Sequence, residues 1–184
     1  LTPKLWGSLV LMIKVINVEG NPTLKQQSID CKTTNGSLMG PVTGKDLKVW
    51  DQCTIEVVTD LKDTAESVSD KCLGLASNQV WDKTSPPLSV FVVRVLDSTG
   101  NGWEWKEFIN PTVNGTGKKY KSEEGCLSYP DQKPKKVTRR KNVEISYYSL
   151  DDAEQRRSMK LYGNLTYLPT IIQHEYDHIQ GRTI

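Results

Sequence analysis

The chain has 184 residues and a mass of 20.7 kDa, which suits one ordinary domain. With 24 lysines and arginines against 22 aspartates and glutamates, its net charge is +2, too near neutral to announce a DNA or acidic-lipid partner. A hydrophobic share of 36% with 25% charged residues excludes an integral membrane protein yet supplies a core, and four cysteines are too few for a disulfide scaffold.

Residues 5–16 are largely apolar, but a membrane span needs about 20 such residues, and no signal-peptide cleavage pattern follows. A start at Met12 makes 1–11 an upstream appendage and 12–184 a single domain. Residues 21–50, rich in Gly, Ser, Thr, Asn and Pro, predict loops and turns. Leu61, Ala65, Val68 and Cys72 recur at helical spacing and predict a helix over 60–73, ended by Gly74. Strands are expected at 88–96, 107–113, 118–122 and 143–150, the last alternating Val143, Ile145 and Tyr147 on one face. A second helix is expected between 161 and 181, with Thr166 as cap, Pro169 in the first turn and Gly181 as the stop. An early helix, several antiparallel strands and a late helix favour α+β over alternating α/β.

Both histidines of the chain lie in His174-Glu175-Tyr176-Asp177-His178, an HExxH pattern. Helical residues four apart face the same way, so two imidazoles close on one ion while Glu175 sits beside a bound water. Asp177 points about 100° away around the helix and reads as structural or solvated. A catalytic site of this kind wants a third protein ligand and an open position. The downstream ligand of HExxHxxGxxH proteases falls here on Ile184, a hydrocarbon, so the third ligand lies upstream or beyond a truncated end. Among four cysteines, Cys126 is favoured over Cys31, Cys53 and Cys72, because Gly125 allows close backbone approach and Pro130-Asp131 turns the chain just after.

Glu124-Gly125-Cys126-Leu127-Ser128, Gln173-His174-Glu175-Tyr176-Asp177-His178 and Cys72-Leu73-Gly74-Leu75-Ala76-Ser77-Asn78-Gln79 together resemble the three signatures of peptide deformylases, in order and spacing. Ile109-Asn110-Pro111 matches a further family pattern. Two departures stand out: Cys72 replaces a glycine and Ser77 an alanine, each adding volume where the family keeps the backbone bare. The ending at Ile184 is similar to short phage forms that lack the C-terminal extension of many bacterial members.

The resemblance implies antiparallel sheets packed around a central HExxH helix. It also implies a divalent metal on Cys126, His174 and His178, with ferrous iron first and zinc, nickel or cobalt acceptable. Glu175 would act as general base and then acid, while the Gln79 amide and the Leu127 N–H meet the developing oxyanion. Leu73, Gly74 and Gly125 would bind substrate, the formyl-methionyl end of a nascent polypeptide, in the cytoplasm of a bacterium or of its phage-infected equivalent. The basic run Lys133, Lys135, Lys136, Arg139, Arg140 and Lys141 reads as a solvated hairpin edge or as a ribosome contact. Two other readings of the HExxH pattern are a metalloprotease truncated at its C-terminus and an inactive metal-binding homologue.

Overall fold

The computed structural model describes residues 13–36, 47–164 and 167–184; the expected appendage at 1–11 and the candidate cap Thr166 lie outside the described residues. Two short strands, β1 (Thr33–Gly36) and β2 (Leu47–Trp50), pair antiparallel in a region expected to be all loop. Helix α1 (Gln52–Ser67) corrects the 60–73 expectation at both ends. It starts early because the Asp51 carboxylate accepts from the Thr54 N–H at 2.8 Å, a side-chain N-cap. It stops early because Val68 leaves helical conformation at φ −126°. Cys72 kept the apolar spacing without being helical, since Val68 and Cys72 join the same core as the helix.

The main sheet holds β3 (Gly74–Ala76), β4 (Val90–Leu96), β5 (Trp103–Glu124), β6 (Lys135–Ser149) and β7 (Asp152–Tyr162), antiparallel throughout and adjacent in chain order. The two strands expected at 107–113 and 118–122 are one long strand. Its register shifts twice, between Ile109 and Thr112 and between Thr116 and Lys119; Asn110 (φ +46°) lies in the first shift and Gly117 (φ +74°) in the second. Such bulges bend a strand without ending it.

Strand alternation sorts the core into two layers. Val90 and Val92 join Leu75, Ile109 and the Val57, Val58 and Leu61 face of α1. Phe91 and Val93 join Ala76, Phe108, Val143, Ile145 and Tyr147 against Ile172 and Ile179 of helix α2 (Leu168–Ile179). The architecture is therefore α+β, with antiparallel sheets and two helices. Pro169 sits in the first turn of α2 and Gly181 adopts φ +71° just past its end, as expected.

Two further features set the surroundings of α2. The N-terminal segment crosses behind it: the Ser28 N–H donates to Ile179 O at 2.8 Å, Gln27 bridges Gln180, and a Cβ on Gly181 would stand 2.6 Å from Lys25 O. Strand β7 pairs with β6 only from Asn142 onward, so residues 117–141 form a two-stranded arm of β5 and β6. Its open edge is closed at Arg140 by the Gln173 side chain, which accepts from the Arg140 N–H at 2.9 Å and donates to its carbonyl at 2.8 Å.

Candidate active site

The HExxH residues occupy the sheet-facing side of α2, where four-residue spacing sets the His174 and His178 rings 5.0 Å apart between centroids. Cys126 follows the end of β5 by two residues and meets them from the sheet side. One ligand atom from each of Cys126, His174 and His178 lies within 4.8 Å of the other two, with Cys126 Sγ 3.2 Å from His178 Nε2. No pair of Cys31, Cys53, Cys72 and Cys126 forms a disulfide.

The charges around this triad explain its shape. Glu124 is 7% exposed. Burial pushes its carboxyl upward, but hydrogen bonds from Arg139 and His174 overcome that and hold it at about 2. An ionised Glu124 only accepts, so His174 Nδ1, 2.9 Å from Glu124 Oε2, carries the proton and leaves Nε2 to face outward. Burial lowers the His174 ring too, yet bonds to Cys126 and Glu124 raise it to about 10. Burial, helped by His174 and Arg139, holds His178 at about 3 and therefore neutral. Donors that favour a positive charge in their midst, one of them a thiol, fit a divalent cation.

Arg139 corrects the reading of the basic run. It is 5% exposed, donates from Nε and Nη2 to both Glu124 oxygens at 2.8 and 2.7 Å, and reaches Asp177 and the Gln173 carbonyl through Nη1. Asp177 also accepts from Arg182 at 2.9 Å. Asp177 is thus structural, tying α2 to the sheet. The alternation of Val143, Ile145 and Tyr147, carried four positions back along β6, lands on Arg139; that signal was present in the sequence.

Glu175 is 3% exposed, its Oε2 is buried without a partner among the described residues, and burial raises its carboxyl to about 7. Gly74 lies across from it on the α2 side of β3, and a Cβ there would stand 2.6 Å from Glu175 Oε1. Gln79 is anchored through Oε1, which accepts from the Ala76 N–H at 2.9 Å. Its Nε2 donates to Ser128 Oγ at 3.1 Å and lies 3.7 Å from Cys126 Sγ. Leu73, Gly74, Gln79, Gly125, Cys126, Leu127, His174 and Glu175 all border one cleft of about 840 Å³. Cys72 borders it as well, with its thiol turned to Gly74 O at 3.2 Å and pushed up to about 12 by burial. Ser77 faces the other way, donating to Leu88 O, so its extra oxygen does not narrow the cleft.

An α+β fold that gathers a thiol, two imidazoles and a buried carboxyl at the base of one cleft defines a hydrolase of the metal-dependent kind. The profile of polypeptide deformylases matches residues 13–184. The peptide deformylase of Cytophaga hutchinsonii is 31% identical over 173 residues, covering 92% of this chain and 79% of that one. The peptide deformylase of Pseudothermotoga lettingae is 29% identical over 171 residues, covering 92% and 80%. Among solved structures, a probable peptide deformylase from synechococcus phage S-SSM7 shares the fold with a TM-score of 0.68 at 24% identity, covering 92% of this chain and 96% of that one. The chain belongs to the polypeptide deformylase family, enzymes that remove the N-formyl group from nascent polypeptides. The protease and inactive-homologue readings give way to this one. Among the described residues, no helix is long and apolar enough to cross a membrane.

Proposed function

We propose that Cys126, His174 and His178 hold one divalent ion, that Glu175 moves the proton, and that Gln79 and the Leu127 N–H stabilise the oxyanion. The observation that carries this reading is the convergence of three donor atoms within 4.8 Å beside a buried, unpartnered carboxyl oxygen. The chemistry that such an ion supplies when bound is polarisation of the formyl carbonyl and acidification of water. Glu175 accepts a proton from the attacking water and returns it to the departing amine. Gln79, fixed through its carbonyl, keeps its amide aimed at the site, and losing one such donor raises a barrier by about 3–4 kcal/mol. Gly74 leaves Glu175 room to stand over the substrate, and Leu73 and Gly125 border the path of the formyl-methionyl chain.

In this reading α2 is the central element of the catalytic domain, residues 12–184, with 1–11 outside it. Ferrous iron is the native ion and zinc, nickel or cobalt are substitutes, since two imidazoles and a thiolate accept all four; metal analysis after anaerobic purification tests that order. The place of action is the bacterial or phage-infected cytoplasm, where formylated chains are made. A ribosome contact through the 133–141 run belongs to the same reading, with Arg139 withdrawn from it.

Formate release from a formyl-Met tripeptide tests the assignment. The parent protein is expected to release formate, and Glu175→Ala and Cys126→Ala to lose nearly all activity. Full activity in either variant overturns its role, and release of amino acids from unformylated peptides overturns the reaction.

A further inference from the structure

The near-neutral net charge of the chain conceals a strong separation. Residues 118–141 carry nine of the 24 lysines and arginines but only three of the 22 carboxylates. This stretch is therefore +6 in a chain of +2, and everything else together is −4. Arg139 is buried against Glu124 and Asp177. The other eight cations, Lys118, Lys119, Lys121, Lys133, Lys135, Lys136, Arg140 and Lys141, are exposed, and none forms an ion pair among the described residues.

Register concentrates them. Lys119 lies opposite Arg140, Lys121 opposite Thr138 and Glu123 opposite Lys136, and cross-strand partners share a face. The intervening pair, Tyr120 and Arg139, points the other way, toward α2. The face bearing Tyr120 and Arg139 is turned toward α2, while the opposite face presents Lys119, Lys121, Lys136 and Arg140, with Lys121 also reaching the rim of the cleft. Charged side chains, lysine above all, defend an exposed strand edge against aggregation. Eight exposed cations on one hairpin, none of them bonded to an aspartate or glutamate among the described residues, gather a local charge that the otherwise acidic chain lacks elsewhere.

We propose that the outward face of the β5–β6 arm, centred on Lys119, Lys136 and Arg140, binds the phosphate backbone of a structured RNA. The chemistry is sequence-independent: flexible ammonium groups and one guanidinium along a ribbon meet a regular row of phosphates. Because the inner face of the same arm borders the cleft, RNA held outside orients the cleft mouth relative to that RNA. The proposal rests on the deformylase reading only for its consequence, which is to seat the cleft near the RNA-rich source of formylated chains.

The test uses binding of a fluorescein-labelled RNA hairpin, followed by anisotropy between about 50 and 200 mM salt. Lys119→Gln, Lys136→Gln and Arg140→Gln are combined in one variant, and Lys25→Gln, Lys32→Gln and Lys48→Gln in a control with the same loss of charge. The arm variant is expected to bind at least about tenfold more weakly and to lower the logarithmic salt slope by about 2; the control is expected to stay near the parent. Formate release from a free tripeptide, unchanged in both, shows that the variants are folded. Equal weakening in the two variants, absence of RNA binding by the parent, or tighter binding to phosphatidylglycerol vesicles than to RNA overturns the proposal. Loss of formate release in the parent protein would instead count against the deformylase reading alone.

Discussion

Replacing Arg139 with methionine removes the guanidinium that pairs with both Glu124 oxygens from within the sheet. The guanidinium makes two bonds to that carboxylate, at 2.8 and 2.7 Å, plus contacts to Asp177 and the Gln173 carbonyl, and both Arg139 and Glu124 are under 10% exposed. Removing one member of such a buried pair costs about 3–5 kcal/mol, most of it the penalty of the charge left behind. For a chain of this size, that corresponds to a fall in Tm of about 6–20 °C. Glu124 also orients His174 through Nδ1, so metal affinity is expected to fall about 10- to 100-fold. Glu124→Gln added to Arg139→Met removes the stranded charge, and the pair is expected to be more stable than Arg139→Met alone. Thermal unfolding with a metal titration, across the four proteins of this double-mutant cycle, measures both effects. If Arg139→Met melts within about 2 °C of the parent and binds metal equally well, the account of this network is wrong.

Gly74→Ala is expected to fold but to lose about 100-fold in formate release, because the new methyl meets Glu175 Oε1 at 2.6 Å and small displacements of a catalytic group carry that order of penalty; a kcat near the parent's would refute the contact. Iodoacetamide at pH 8, read by peptide mass spectrometry, is expected to spare Cys31 and Cys72, both buried and pushed up to about 12. Cys53 is expected to react throughout, and Cys126 only after a chelator strips the metal; labelling of Cys126 at the same rate with and without metal would separate it from the site. Trp50→Phe deletes the indole N–H that donates to Ser149 O at 2.9 Å. It is expected to destabilise the protein by about 1–3 kcal/mol, measured by urea unfolding, without altering formate release.

What could be read beforehand followed from periodicity. The metal helix announced itself through HExxH, Pro169 and Gly181, and β4 through the apolar run at 90–93, which is buried on both faces. The first two turns of α1 were hidden because Ile55, Val57, Val58 and Thr59 are β-branched residues that carry little helical signal; the cap at Asp51 was the stronger clue. Strand β7 escaped because it is the edge of the sheet, where Glu154, Gln155 and Arg156 are exposed and only Met159 and Leu161 carry the apolar alternation onto the core. At the site, the motifs supplied the donors but not their supports. Arg139 was masked by its cationic neighbours, since the run of charge alone hides which member turns inward and only the alternation of Val143, Ile145 and Tyr147 carried back along β6 marks its face.

The segment that crosses behind α2 has a consequence for how the protein loses its ion. The carbonyl of Ile179, the last residue of the helix bearing His178, is secured by Ser28, about 150 positions away in the sequence, and Gln27 bridges Gln180 beside it, so loosening of that early strap frees one end of the ligand-bearing helix while the sheet is still intact. Slow leakage of metal on warming would then precede global melting, and a nick near Gln27 would hasten it.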